Sequence, residues 1–131
     1  MKVSDFQFTN PCLVSMNFRE NEDFRIEEGK GIQIKTGIDF SEELISQTEA
    51  AVSIKIKLTN EGNSAPFELE AEFTANFRWS EALDEQRRDS LLKQNAPALL
   101  VSYARPIIAM ITNASRFPAF NIPFINFTED K

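Results

Sequence analysis

The stretch FELEAEFTANFRW, residues 67–79, alternates apolar and polar side chains without interruption. A period of two puts every apolar side chain on one face of a β-strand and every polar side chain on the other. At ~3.3 Å per residue the strand would be ~43 Å long, whereas ordinary strands have about five or six residues. The stretch therefore predicts one long strand in a sheet that is apolar on one face and polar on the other.

Three further strands are predicted in the sequence that precedes this stretch. They follow the apolar positions Ile32, Ile34, Ile38 and Phe40, the positions Val52, Ile54, Ile56 and Leu58, and the N-terminal positions Phe6, Phe8, Val14, Met16 and Phe18. Pro11 interrupts the N-terminal pattern, which predicts an edge strand that is broken or bulged there, because proline has no amide to donate. The turn residues 60–63, NEGN, predict an antiparallel hairpin between the last two strands.

The periodicity becomes helical after Ser80, which is a good N-cap residue. Residues 82–94 predict a polar helix with a narrow apolar edge, and residues 98–113, opened by Pro97, predict a second helix that is apolar on almost all sides. Pro106 predicts a kink or a local break in the second helix. Such a helix needs cover all round, so we expect a homo-oligomer.

The composition excludes several classes of protein. A net charge of −6 with a pI near 4.7 disfavours nucleic-acid binding, and no apolar run is long enough for a membrane span or a signal peptide. The chain has no histidine, a single cysteine, Cys12, and only four glycines, which leaves little material for catalysis, a metal site or a phosphate loop. We therefore predict a cytoplasmic protein that is not an enzyme and needs no cofactor or metal.

The unusual residue is phenylalanine, with twelve copies against one tyrosine and one tryptophan. Phenylalanine offers a large apolar contact without a hydrogen-bond demand, so it suits a core or a sequence-tolerant binding surface. Residues 117–127, FPAFNIPFINF, contain four of these rings and two prolines, and must be extended. This tail is predicted either to line a peptide-binding surface or to close the core of the chain.

Together these patterns predict an α+β fold, namely a long four-stranded antiparallel sheet with two helices packed on one face. We expect a single domain over residues 1–131, in which residues 1–79 form the sheet and residues 80–131 form the helices and the extended tail.

Three C-terminal motifs carry a resemblance to a known family. Residues 95–105 read NAPALLVSYAR, residues 116–122 read RFPAFNI and residues 125–127 read INF. Their order and spacing resemble the signature of the SecB export chaperones. The resemblance implies a dimer or a dimer of dimers built through strand edges and helices. It also implies an aromatic-lined groove for unfolded client polypeptides, and docking of the SecA motor on acidic residues of the sheet.

The resemblance also implies positions for these functions. Client binding is expected at the aromatic residues Phe18, Phe77, Trp79, Tyr103, Phe117, Phe120, Phe124 and Phe127. Partner docking is expected at Glu68, Glu70 and Glu72, for which a solvated surface and a divalent-cation site are the alternatives. The oligomer interface is expected at Leu99, Leu100, Ile107 and Met110.

The predicted function is therefore that of an ATP-independent holdase, which binds apolar segments of unfolded clients in protein export or in a specialised client system. Alternatives remain at this point, among them a purely structural adaptor whose oligomer presents the acidic sheet face to one dedicated partner. Two others concern what the protein binds. One is a cup for a small lipophilic ligand, because a curved sheet under a helix can enclose a cavity. The other is a SecB-like chaperone of an antitoxin in a stress-response system.

Overall fold

A computed structural model describes residues 1–25, 29, 31–59 and 64–128 of the chain. Four strands are followed by a helical region and an extended C-terminal segment. The strands are β1 (Gln7–Glu20), β2 (Lys35–Ser46), β3 (Glu49–Thr59) and β4 (Phe67–Arg78), and the helical region comprises α1 (Glu85–Ser90), a π-helical stretch (Leu91–Asn95) and α2 (Ala96–Asn113). The predicted four-stranded α+β architecture is thus confirmed, with a difference in its helices.

The four strands form one antiparallel sheet in the order β1-β4-β3-β2. The long alternating stretch becomes β4, which pairs with β1 on one side and β3 on the other. The predicted antiparallel pairing of β3 with β4 is confirmed, although the turn predicted at residues 60–63 lies outside the described residues. The edges of the sheet are therefore β1 and β2.

The two edge strands differ from their predicted limits. Strand β2 begins only at Lys35, after Ile32 and Ile34, and continues to Ser46. The sequence FSEEL within it breaks the alternation, so the pattern gave no sign of this second half. The bulge predicted in β1 at Pro11 is confirmed by a register shift between Thr9 and Cys12, next to Asn10 with a positive φ of 53°.

The core lies between the sheet and α2. The apolar rows of β3 and β4 are almost completely buried, and their polar rows form the opposite face of the sheet. Helix α2 contributes Leu100, Val101, Ala104 and Ile108 to the same cluster and packs against β3, β4 and β1. One face of the sheet is consequently apolar and covered by the helix, as the alternation of β4 predicts.

The prediction of two separate helices is wrong, because the helical region is continuous. Ser80 does not cap it; its hydroxyl accepts the amide of Ala82 at 3.0 Å in a local turn, and α1 begins at Glu85. At the predicted boundary the amide of Ala96 donates to the carbonyl of Leu91, five residues back. This π-type turn accommodates one extra residue before Pro97, so the chain stays helical at the position where Pro97 predicts the start of a second helix.

The local break predicted at Pro106 is also absent, since α2 remains helical to Asn113. Pro106 lies on the exposed face of the helix, and so does Ser102, whose carbonyl loses its amide donor to the proline. At the surface that carbonyl can be hydrated, which removes most of the penalty for the missing hydrogen bond. No helix among the described residues is long and apolar enough to cross a membrane.

Candidate functional site

The C-terminal strap, residues 117–127, runs back over the sheet after α2. Its first half is fixed by hydrogen bonds from the helix. The Thr112 hydroxyl, fully buried, donates to the carbonyl of Ile108 and accepts the amide of Phe120, both at 2.8 Å. The Arg105 guanidinium donates to the carbonyls of Ile122 (3.0 Å) and Pro123 (2.8 Å). This half of the strap closes the core of the chain, in which Ile122 is buried.

The second half of the strap, residues 124–127, is held differently. The Phe124 ring is 97% exposed and lies 5.5 Å from the Arg105 guanidinium. The Phe127 ring packs edge-on against Phe40 of β2, with 6.0 Å between ring centroids. Ile125 and Phe127 are only partly buried against the core. Apolar contacts, rather than backbone hydrogen bonds from the helix, therefore position this half on the sheet.

A groove of about 640 Å³ lies between this half of the strap and β2. Its apolar lining comes from Ile38, Phe40, Ile125 and Phe127. Ile38 and Phe40 pair with Ile56 and Ile54, so they belong to the helix-covered face of the sheet, yet Phe40 remains 40% exposed. We call this the strap groove, and it is an open aromatic surface on the edge strand.

Three charged residues, Asp39, Glu42 and Lys93, line the strap groove besides its apolar residues. Glu42 follows Phe40 on the same face of β2, where its partner across the strands is the buried Val52. Lys93, from the π-helical stretch, also lines the groove. An acid in a row that otherwise reads Ile38, Phe40 and Leu44 indicates that this part of the face meets solvent or a polar group rather than the core.

A second groove, of about 710 Å³, lies at the β2–β3 turn. Leu44 and Ile45 of β2 line it together with Leu83 and Trp79. The indole Nε1 of Trp79 donates to the carbonyl of Gln47 at 3.0 Å, and the ring is almost completely buried. We call this the hairpin groove. Trp79 forms its floor and does not project an exposed ring toward a client.

The structure does not bring the eight predicted client-binding aromatics together. Phe77 is buried and stacks on Phe6 with 5.5 Å between centroids, at the same end of the sheet as Trp79. Phe18 packs on Phe67 near the other end of the sheet, and Phe117 packs on Phe24. Among the predicted aromatics only Phe127 lines the strap groove.

The groove residues that the sequence analysis did not single out belong to β2 and to the π-helical stretch. They are Phe40, Glu42, Leu44, Ile45 and Lys93. The alternating pattern predicts that Phe40 lies in a strand, but it does not distinguish this ring from a core residue.

The predicted oligomer interface divides into an exposed and a buried part. At 100° per residue, Leu99, Tyr103, Ile107 and Met110 share one flank of α2, on the other side from Arg105. Met110 is 63% exposed, and the edge of Tyr103 packs on Phe73 at 6.1 Å. Leu100 points into the core of the chain and is fully buried, so it offers no surface to a neighbour. The apolar flank of α2 is therefore defined by Leu99, Tyr103, Ile107 and Met110, without Leu100.

The three predicted docking acids lie in one row on the outer face of β4, but they are not an acidic patch. In register they stand opposite bases: Glu68 faces Arg19 of β1, while Glu70 and Glu72 face Lys57 and Lys55 of β3. Opposite charges at such positions have Cβ atoms about 5 Å apart and attract each other. On the outer face the acids of β4 thus stand opposite bases of the neighbouring strands. Among the described residues no cluster of acids and cysteine is placed to hold a metal ion.

The fold and its surfaces define a small α+β protein in which acids face bases on one side of the sheet and apolar grooves stay open on the other. The sequence profile of a family described as preprotein translocase subunit SecB matches residues 13–129. The chain therefore belongs to the SecB family, which confirms the resemblance seen in its C-terminal motifs. Members of this family are chaperones, so the coarse prediction of a chaperone is confirmed as well.

Several solved structures, including the following two, are similar in fold. One is the SecB-like chaperone Rv1957 of Mycobacterium tuberculosis in complex with a ChAD peptide from the Rv1956 HigA1 antitoxin, at 13% identity and a TM-score of 0.67, covering 92% of this chain and 91% of that one. The other is a protein of unknown function from Streptococcus agalactiae, at 9% identity and a TM-score of 0.57, covering 94% of this chain and all of that one. No curated protein sequence matches the chain significantly.

Proposed function

We propose that the protein is an ATP-independent holdase that binds extended apolar segments of unfolded polypeptides in the strap groove. The observation that carries the proposal is Phe40, an aromatic residue left open on the helix-covered face of an edge strand. Phe40 shares this groove with Ile38, Ile125 and Phe127, and a contiguous apolar surface of this kind marks a site that another chain covers.

The geometry of β2 fits an extended client. Side chains on one face of a strand repeat at about 6.6 Å, which is also the spacing of alternate side chains in an extended peptide. Ile38 and Phe40 supply two such positions in the strap groove, and Leu44 supplies another beyond Glu42, where the hairpin groove begins. A client with apolar residues at every second position would lie along this row.

We further propose that the working unit is a cytoplasmic homo-oligomer, a dimer or a dimer of dimers, joined through the apolar flank of α2. Met110 and Tyr103 leave enough apolar surface on that flank to favour association in water. A single unpaired cysteine, Cys12, suits a reducing compartment.

The protein could act as a chaperone in protein export or as a chaperone of one dedicated client. The charges on the outer face of the sheet favour a dedicated client. Docking of the SecA motor on acids requires a negative surface, whereas Glu70 and Glu72 face lysines. The fold likeness to a chaperone that was solved with an antitoxin peptide supports the same choice. An antitoxin or another specific unfolded partner is therefore the client class that we propose.

Suppression of aggregation tests the proposed function. A chemically denatured protein, such as citrate synthase, is diluted into buffer with the chaperone, and light scattering is followed. We expect the wild type to suppress scattering and Phe40→Ser to lose most of that ability. Phe8→Ser is the matched control, because Phe8 is a similarly exposed ring on the other edge strand. Unchecked aggregation with wild-type protein at an equimolar ratio of oligomer to denatured protein would refute the proposal.

A further inference from the structure

The two halves of the C-terminal strap are held by different forces. Up to Pro123 the strap has a buried side chain, Ile122, and three hydrogen bonds from α2. Beyond Pro123, within the described residues, the hydrogen bonds of the strap are local, from Thr128 to the Asn126 side chain. Within the described residues, Pro123 therefore separates a half anchored by hydrogen bonds from a half held on the sheet by apolar contacts.

The half beyond Pro123 has the chemistry of a client. Residues 124–127, FINF, are extended and apolar, and Phe127 covers part of the Phe40 ring. Ile125 and Phe127 pack on the same surface that would receive an apolar client segment. Two segments with the same chemistry cannot both occupy the contact with Phe40.

We propose that residues 124–127 are a lid that occupies part of the strap groove and that a client displaces. The lid swings at Pro123, while the contacts of Arg105 and Thr112 keep the rest of the strap in place. In the absence of a client the lid reduces the apolar area in water, and on binding a client ring takes the place of Phe127 against Phe40. This inference rests on the proposed function and adds an autoinhibitory contact to it.

The affinity of Phe127→Ala for a client distinguishes a lid from a wall. The probe is a fluorophore-labelled extended peptide in which Phe and Ser alternate, and its Kd is measured by anisotropy on the full chain. We expect Phe127→Ala to bind about three- to tenfold more tightly, the equivalent of one ring-ring contact. Phe8→Ala is the control and should bind like the wild type.

A second variant closes the lid covalently. In a Cys12→Ser background, Glu42→Cys with Asn126→Cys is joined by a reducible thiol crosslinker across the strap groove, which both residues line, so that Phe40 and Phe127 stay in place. We expect the joined form to bind the peptide at least tenfold more weakly than the same protein after reduction. Weaker or unchanged binding by Phe127→Ala, or equal binding by the joined and reduced forms, would overturn the lid. If the wild type itself fails to bind the peptide, the proposed function falls, which is a different outcome.

Discussion

Replacement of Arg105 tests whether the anchored half of the strap is held as the structure indicates. Arg105 makes two charge-assisted hydrogen bonds to the carbonyls of Ile122 and Pro123 and is partly buried. A hydrogen bond to a charged group contributes about 1.5–3 kcal/mol, and partial hydration of the freed carbonyls lowers the cost of its loss. We therefore expect Arg105→Gln to lower the free energy of unfolding by about 2 kcal/mol, with a Tm lower by roughly 6–10 °C.

Urea denaturation at a fixed protein concentration measures this loss without interference from changes in association. Hydrogen exchange should rise at residues 120–122, whose docking depends on the guanidinium. Arg105→Lys should recover only part of the stability, because an ammonium cannot span both carbonyls as a planar guanidinium does. Arg87→Gln, on the exposed face of α1, serves as the control. An unfolding free energy within 0.5 kcal/mol of wild type, roughly the range of neutral surface substitutions, together with unchanged exchange in the strap, would refute this assignment.

Two further predictions concern the other side of the strap and the surface of α2. Thr112→Val should lower the free energy of unfolding, measured by urea denaturation, by about 1–3 kcal/mol, because it leaves the amide of Phe120 without an acceptor. Thr112→Ser keeps the hydroxyl and should stay close to wild type. Equal stability of the valine and serine variants would contradict this prediction. Met110→Glu should shift the protein toward monomer in sedimentation velocity, because it puts a charge on the apolar flank of α2. Glu81→Gln, on the exposed loop before α1, is the control. An oligomer that Met110→Glu leaves unchanged would exclude this flank as the interface.

The central strands were predictable from sequence because their environment is uniform along their length. Every second residue of β4 from Phe67 to Phe77 is buried, so the alternation survives unbroken. Strand β2 has one open edge and only partial cover, and Glu42 can therefore stand on its inner face without penalty. The same freedom that makes β2 suitable for binding removes the pattern by which its second half could have been found.

The roles of individual phenylalanines were not predictable in the same way. Phe77 and Phe127 both occur among alternating or extended apolar residues, yet Phe77 is buried under its own chain and Phe127 lies at an open groove. The difference depends on which segment covers each ring, and that is decided by contacts between residues far apart in sequence. The helix boundary predicted at Pro97 and the break predicted at Pro106 are wrong for a related reason. Both rest on local rules for proline, whereas a π turn accommodates Pro97 and an exposed helix face accommodates Pro106.

The position of the binding groove follows from the dimensions of the fold. Neighbouring strands lie about 4.8 Å apart, so four strands span ~14 Å between the outer two, and a single helix is only about 10 Å in diameter. One helix therefore cannot cover this sheet. Because α2 packs against β3, β4 and β1, the uncovered margin falls on β2, and the strap covers only part of it. A second helix over β2 would bury Phe40 and leave a more stable chain without a groove. Under the proposed function, the narrow cover of the sheet is the structural condition for binding another polypeptide, and the proposed lid provides partial cover that a client displaces.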